Sequence, residues 1–385
     1  MARLQTRRIN NGGTLGVAAS HDRHDDDLHG RSFRRILLLK PSSLGDVVHA
    51  LPVLHGLRRR FPEATIDWLI ATPFASLLEG ESDLNEAILF DRRRFARLAR
   101  SPRVARDFLS FARNLRARRY DLAIDLQGLF RTGFLSRVTG APVRIGFRAA
   151  REGAWIFYTH HIRPPDPEMH AVDKNYLVAE MLGFADVPIR FDLNISESVH
   201  DSTRQKLNRA GVVQSSLMAL VVPGARWETK RWPVERFAET IDRIQSDSTA
   251  TCVLAGGADE VRLCGDIATL CKTNPIDLSG QTTIPEMAAL IDRADVVLCQ
   301  DSAAAHLAVA CGSALVCLTG PTNPRRTGPY GRLEDVQRID IPCSPCYLRR
   351  LSQCGHNHRC MQDLTTSRVV AALRESLASA AVSEQ

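Results

Sequence analysis

Aromatic residues, long apolar runs and early cysteines are all scarce in this 385-residue chain. Phe, Trp and Tyr together make up 6% of it. So thin a supply fits an α/β protein rich in Val, Leu and Ala. The longest apolar runs, such as Leu217–Val222, fall far short of the ~20 residues a membrane-spanning helix needs. Residues 1–32 lack the apolar core of a secretory signal peptide. No cysteine precedes Cys252. Six of the ten, Cys252, Cys299 and Cys317 among them, lie in apolar segments and read as small core residues in a reducing compartment. A cytoplasmic location is the expectation. Nucleotide signatures are missing too. The loop after Lys40 lacks the Gly-Lys-Ser/Thr ending of a P-loop and the glycine spacing of a dinucleotide fingerprint. No RNA- or DNA-binding motif is present, so nucleic acid is not an expected partner.

What is there points to two globular domains. The length exceeds one ordinary core, and 44% apolar with 24% charged residues is globular composition. The net charge is +7 and the pI about 9.0. That balance calls for an anionic partner, whether acidic lipid or phosphorylated substrate. Residues 1–32 are polar, with the run His21-Asp-Arg-His-Asp-Asp-Asp-Leu-His29. They read as a disordered extension, or as a weak metal-binding tail.

From Arg35 the chain alternates strand and helix. Arg35–Lys40 predicts a buried strand, Asp46–Phe61 a helix stopped by Pro62, and Thr65–Ile70 a second strand. Such a strand–loop–helix–strand unit builds parallel sheets. Ala87–Phe90 and Leu122–Leu126 continue as strands, Val104–Arg116 and Thr132–Val138 as helices, with a further helix around Tyr176–Leu182. The same grammar restarts at Leu217–Val222. It runs on through strands Thr251–Leu254, Val296–Cys299 and Ala314–Leu318. Helices are expected at Val234–Gln245, Asp259–Leu270, Ile284–Arg293, Ala303–Ala310 and Ser367–Ala381. The pattern predicts two doubly wound domains facing across a cleft, over 33–190 and 200–385, with the link near 188–200. The last helix is free to fold back onto the first domain.

Ligands of such sheets bind beyond the carboxyl ends of the strands. Lys40-Pro-Ser-Ser-Leu-Gly-Asp46 offers small hydroxyls, a glycine for close approach and a carboxylate at a helix start. Asp46 reads either as a helix cap or as a general base facing the cleft. Pro223-Gly-Ala-Arg-Trp-Glu-Thr-Lys-Arg-Trp-Pro233 carries Arg226, Lys230 and Arg231. It reads as a solvated basic loop or as a clamp for a diphosphate, and its two tryptophans hold it to the body of the protein. Gln300-Asp301-Ser-Ala-Ala-Ala-His306 opens a helix whose N–H groups and dipole suit a phosphate. His306 either donates to that phosphate or fills the core. Gly320-Pro-Thr-Asn-Pro is mainly turn chemistry. Glu260 reads as a ribose contact or as a favourable charge at a helix start.

Taken in order with Asp125-Leu-Gln-Gly128, these motifs resemble the ADP-heptose:lipopolysaccharide heptosyltransferases, glycosyltransferase family 9, over residues 34–375. The cysteine-rich segment is more similar to heptosyltransferase II than to I. The resemblance implies a GT-B fold, with the acceptor on the first domain and ADP-sugar on the second. It implies inversion without a catalytic metal or other cofactor. In that scheme Asp46 is the general base and Lys230 stabilises the leaving diphosphate. Gly224, Arg226, Glu260, Asp301, Ser302, Ala303 and His306 line the donor, while Ser42, Ser43, Gly45, Gln127 and Arg131 line the acceptor. The chain departs from the family at Ala303, where glycine is usual. A left-handed backbone there would cost about 1 kcal/mol.

Two features lie outside that scheme. Arg92, Arg93, Arg94, Arg97, Arg100, Arg103 and Arg106, then Arg113, Arg116, Arg118 and Arg119, crowd the first domain. They read as solvated helix faces or as a contact for an acidic glycolipid acceptor and the inner membrane surface. Arg131, Arg144 and Arg148 are further candidates for that contact. Cys343-Ser-Pro-Cys346 with Cys354 and Cys360 has ligands enough for a structural zinc. Free thiols or a disulfide are the other readings. Two other functions share the expected fold. One is a GT-B enzyme with another nucleotide-sugar, whether transferase or epimerase. The other is a non-catalytic binder of glycolipid or nucleotide.

Overall fold

The computed structural model describes residues 28–97, 100–213, 216–247 and 250–383. Among them the first half forms a six-stranded sheet from β1 (Arg35–Leu39), β2 (Thr65–Ala71), β3 (Glu86–Phe90), β4 (Leu122–Asp125), β5 (Val143–Phe147) and β6 (His160–Ile162). Its order is β3-β2-β1-β4-β5-β6. The second half repeats the plan with β7 (Met218–Val222), β8 (Thr251–Leu254), β9 (Ile276–Asp277), β10 (Val296–Gln300), β11 (Leu315–Leu318) and β12 (Val336–Gln337). That sheet runs β12-β11-β10-β7-β8-β9. All pairings are parallel. Each half thus has the same doubly wound order, and together they make the two-domain α/β architecture of the GT-B class. Helices cover both faces, which is why Ile36–Leu39 and Met218–Val222 read as unbroken apolar runs and are fully buried.

This topology places the motifs. A doubly wound sheet reverses direction at a switch point, and the loops leaving its two central strands diverge there to make a crevice. In the first sheet those strands are β1 and β4, which launch Lys40–Asp46 and Leu126–Gly128. In the second they are β7 and β10, which launch Pro223–Pro233 and Asp301–His306.

Several expectations need correction. Residues 1–27 of the expected extension lie outside the described residues, but 28–32 are ordered. Leu28 is 1% exposed in the core of the first domain, and the His29 carbonyl accepts from Arg60 at 2.8 Å. The expected helix from Asp46 to Phe61 is two helices, Leu44–Val48 and Leu51–Arg60, broken at His49 and Ala50. Pro52 is the reason, because it has no N–H for the Val48 carbonyl and its ring crowds that carbonyl. The short strands β5, β6, β9 and β12 were not legible in the sequence, nor was the helix Glu197–Arg209 that follows the link. That helix packs on Ile284–Arg293. The last helix, Thr366–Ser383, does not return to the first sheet. It packs on Val234–Asp247 and on β10 and β11, burying Val369, Val370, Leu373 and Leu377 in the second core.

The two halves also touch directly. Helix Leu44–Val48 packs on helix Ala303–Cys311, and one apolar cluster takes in Val47, Val48, Ala304, Ala305 and Ala308.

Candidate active site

On the first domain the site begins with Lys40 at the end of β1. Its carbonyl accepts from the buried Trp68 indole at 3.1 Å. Its ammonium donates to the Leu126 carbonyl at 2.8 Å and lies 3.6 Å from Asp46 Oδ1. The other carboxylate oxygen of Asp46 accepts from the Ser43 N–H at 2.9 Å and the Ser43 hydroxyl at 2.8 Å. Asp46 therefore does bind the backbone at its helix start. Yet 42% of its side chain stays open, and Oδ1, 3.6 Å from the lysine, accepts no hydrogen bond among the described residues. Burial acts most strongly on Asp46 and would raise its pKa. The Lys40 charge, the two Ser43 bonds and His306 outweigh that and hold it below the usual carboxylate range. An ionised carboxylate with an open oxygen is what a general base requires.

The acceptor candidates gather beside it. Gln127 Oε1 accepts from the Ser42 N–H at 3.3 Å, joining the loops after β1 and β4. The second loop turns on buried Asp125, which accepts from the Gln127 and Gly128 N–H groups at 2.9 and 3.1 Å and from Tyr158 at 2.7 Å. Arg131 is the second residue of the next helix, Phe130–Val138, and is half-buried. Burial and the nearby Arg92 lower its pKa, against Glu152.

On the second domain Lys230 reaches the head of helix Ala303–Cys311. Its ammonium donates to Asp301 Oδ2 at 2.7 Å and to the Asp301 carbonyl at 3.0 Å, and it sits 4.8 Å from the centre of the Trp227 ring. Thr322, from the Gly320-Pro-Thr turn, donates to the same Asp301 oxygen. Asp301 is thus a buried clamp on Lys230, and its Oδ2 already holds two partners. Ser302 is the extended N-cap, and Ala303 opens the helix. Ala303 is not among the residues with positive φ, so alanine fits there without strain.

Glu260 stands at the other end of this cleft. It accepts from the Gly257 N–H at 2.9 Å, and burial raises its pKa against that bond and the Arg231 charge. Gly224 makes room for it: a Cβ there would lie 1.6 Å from Glu260 Oε1. Arg226 is exposed on the loop rim, while Arg231 donates to the Ala225 carbonyl at 3.0 Å.

His306 lies between the two halves. A Cβ on Gly45 would come within 2.5 Å of its Cδ2, so the glycine is needed for close approach. Its Nδ1 is 3.0 Å from His49 Nε2. Burial, the main cause, pushes His306 down to about 4, with Asp301 and Asp46 opposing and His170 and Lys230 adding. Both Asp46 and Lys230 therefore act on this one ring from opposite domains.

The cysteine-rich segment serves the Lys230 loop. His358 Nε2 lies 2.7 Å from the Thr229 carbonyl, the Glu228 N–H donates to the Arg349 carbonyl at 3.1 Å, and the Arg349 guanidinium lies 5.0 Å from the Trp227 ring centre. Its four cysteines are free thiols gathered round Cys360. That thiol is pushed up to about 11 by burial first, then by Cys346, Cys354 and Cys343. The spacing suggested zinc, but among the described residues no three of these sulfurs lie within 4.8 Å of one another. Among the described residues, the group that meets this spacing is His55, Glu81 and Asp83. There His55 bonds Asp83 at 2.8 Å and the Phe191 carbonyl at 3.3 Å, tying the link to the first domain.

The arginine-dense stretch divides. Arg118 is structural, paired with Glu86 at 2.6 Å and Asp67 at 3.1 Å, and Arg94 pairs with Asp107. Arg92, Arg93, Arg97, Arg100, Arg103, Arg106 and Arg113 are exposed.

Sequence reasoning missed Lys40, Thr322 and above all His49. Lys40 and Thr322 stood inside quoted motifs, but only the fold shows what they touch.

Comparison with known proteins settles the family. The model of glycosyltransferase family 9 (heptosyltransferase) matches residues 108–355, more than half of the chain. The chain belongs to glycosyltransferase family 9. It is 27% identical to the lipopolysaccharide core heptosyltransferase OpsX of Haemophilus influenzae, covering 80% of this chain and 84% of that one. It is 29% identical to lipopolysaccharide heptosyltransferase 1 of Pseudomonas aeruginosa, covering 81% and 86%. The structure of Escherichia coli ADP-heptose lps heptosyltransferase II superimposes with a TM-score of 0.71 at 24% identity, covering 90% and 99%. This family 9 glycosyltransferase therefore has its fold over nearly all of the described chain. No helix among the described residues is long and apolar enough to cross a membrane.

Proposed function

We propose that this family 9 enzyme transfers heptose from ADP-heptose to the inner core of lipopolysaccharide, with inversion and without a catalytic metal. The observation that carries the reading is the opposition across His306. An ionised, half-open carboxylate, Asp46, comes from the first domain. A clamped ammonium, Lys230, and a helix N-terminus come from the second. The relatives are lipopolysaccharide heptosyltransferases, one of them an ADP-heptose enzyme, and they support the sugar and the acceptor class.

The chemistry follows from that opposition. An acceptor hydroxyl on the first domain attacks the anomeric carbon from the face opposite the diphosphate. Its proton passes to Asp46 Oδ1 as the new C–O bond forms. The bond to the ADP β-phosphate oxygen breaks, and the electron pair leaves with ADP. Lys230 and the N–H groups at the head of helix Ala303–Cys311 stabilise that oxygen. Glu260 takes the ribose hydroxyls. Ser42, Ser43, Gln127 and Arg131 position the acceptor.

The acidic glycolipid also explains a surface beside the acceptor loop. Phe130, Phe134, Phe157, Phe108 and Phe95 form a chain of ring contacts 5.2 to 6.5 Å apart. Leu109, Trp155 and Ile156 stand out near its ends, Ile156 with 58% exposure. Exposed arginines surround it, and Arg148 lies over the Trp155 ring at 4.6 Å. Apolar knobs in a basic field suit an anionic bilayer surface, and we assign this face to peripheral contact with the inner membrane.

The test is ADP release from ADP-heptose, with and without a Kdo–lipid A acceptor, in wild type, Asp46→Ala and Lys230→Ala. Acceptor-dependent release should fall about 100-fold or more in Asp46→Ala with ADP affinity kept. Lys230→Ala should lose affinity and turnover together. Unchanged transfer in Asp46→Ala overturns the base. Turnover only with another nucleotide-sugar overturns the heptose.

A further inference from the structure

His306 presents two ring nitrogens to different surroundings. Nδ1 faces His49 Nε2 at 3.0 Å, with the rings edge to face and their centres 4.2 Å apart. Nε2 lies on the side of Gly45 and has no hydrogen-bond partner among the described residues, while the Asp46 charge acts on the ring as a whole. His49 comes from the helix break that Pro52 imposes on the first domain. Its own Nδ1 is buried and has no partner.

Burial, followed by His306, His170 and Lys40, lowers the pKa of His49 well below the ordinary value. His306 is pushed down to about 4. Neither ring is a cation near neutrality, so one shared proton lies between them. Two tautomeric arrangements exist. If His306 Nδ1–H donates, His49 must keep its second proton on a buried nitrogen with no acceptor. His306 Nε2 would then turn a lone pair toward the Gly45 side of the cleft. If His49 Nε2–H donates, the orphan is only an unused lone pair, and His306 carries its proton on Nε2. A buried donor left unpaired is worse than an unpaired acceptor, and the orphaned Nδ1 of His49 therefore selects the second arrangement.

His170 does not compete for this proton. Its Nε2 lies 3.1 Å from the Gly328 carbonyl and its Nδ1 accepts from the Val172 N–H at 3.1 Å, so both ends are occupied. Lys40 and Lys230 offer only donors, and the Asp301 carboxylate is held by Lys230 and Thr322.

We infer that His49 is a positioning residue: by donating across the domain boundary it holds His306 as the Nε2–H tautomer, which presents a neutral hydrogen-bond donor to an oxyanion in the cleft. This rests on the reading of the cleft as the site of diphosphate departure. It makes the first domain responsible for the protonation pattern of a donor-site residue on the second. Domain contact and donor recognition are thereby linked through one hydrogen bond.

Three substitutions of His49 in the full chain test this. Gln places an amide N–H near the position of the imidazole Nε2. Asn is polar but too short to reach His306. Leu fills the space without a donor. Ring-nitrogen NMR of the His306 imidazole, recorded on protein without ligand, reads the tautomer independently of turnover. Wild type and His49→Gln should show the Nε2–H form. His49→Asn and His49→Leu should show a mixture or the Nδ1–H form. In the transfer assay kcat should fall about 100-fold in Asn and Leu, as expected for an oxyanion donor lost, and stay within about 10-fold in Gln. A His306 tautomer unchanged in both Asn and Leu overturns the inference, as does a wild-type Nδ1–H form. If the tautomer switches as stated but wild type transfers no sugar, the positioning role stands and the function proposed above falls.

Discussion

The backbone of Gly45 and the imidazole of His306 meet so closely that a Cβ at residue 45 would lie 2.5 Å from His306 Cδ2. One residue belongs to the loop of the proposed base and the other to the helix of the donor site. The ring cannot readily swing aside, because His49 holds its Nδ1 at 3.0 Å. Gly45→Ala should therefore spread the two domains, at about 1–3 kcal/mol of overpacking. The expected result is a lower melting temperature and a loss of transfer larger than the loss of ADP affinity. Gly265→Ala, where a Cβ meets nothing within 4 Å, is the control and should change neither.

Asp46 should set the acidic limb of the rate profile. Its carboxylate is held below the usual range chiefly by Lys40 once burial is overcome. Transfer should persist as pH falls through the ordinary carboxylate range and decline only below it. Lys40→Met removes the largest opposing contribution and leaves only the Ser43 bonds and His306 against burial, so the limb should move to higher pH. His306, pushed down to about 4, is electrostatically linked to Asp46, so the limb and its shift belong to the pair. A kcat/KM profile that does not move in Lys40→Met would remove this electrostatic account.

Gly224 and Glu260 should behave as one unit. Alanine at 224 would put its Cβ 1.6 Å from Glu260 Oε1, and the carboxylate must leave its place. Gly224→Ala and Glu260→Ala should each weaken ADP binding by a similar factor. The double variant should be little worse than either, because contacting residues do not add. Calorimetric titration with ADP measures this. Full additivity would mean that Gly224 acts on the nucleotide by another route.

The apolar ridge predicts vesicle binding. Leu109→Ser with Ile156→Ser should reduce co-sedimentation with phosphatidylglycerol vesicles several-fold while leaving the melting temperature in place, since both side chains are largely exposed. Raised salt should weaken the wild-type association through the surrounding arginines. Equal binding by wild type and variant would move the contact elsewhere.

Much of this was legible in the sequence, for a physical reason. A parallel sheet buries both faces, so its central strands must be apolar runs bounded by turns, and β1, β4, β7 and β10 were read close to their true ends. The loops leaving those strands carry the candidate site residues, and their small, charged and glycine residues stand out against the apolar runs. Edge strands such as β9 and β12 are two residues long and leave no periodic trace. Local chemistry also misled at Pro52, which breaks a helix that its apolar spacing would continue.

The chain by itself determined the two repeated α/β halves, the order of the motif loops and the identity of Asp46 and Lys230 as candidates, because local patterning and turn chemistry act between near neighbours. Only the tertiary structure decided that Lys40 faces Asp46, that Asp301 serves Lys230, that Gly224 yields its space to Glu260, and that His49 and His306 share a proton. Those pairs lie up to 257 positions apart. Sequence spacing carries no information about such contacts, which arise where loops from neighbouring strands of one sheet converge and, for His49 and His306, where the two halves meet.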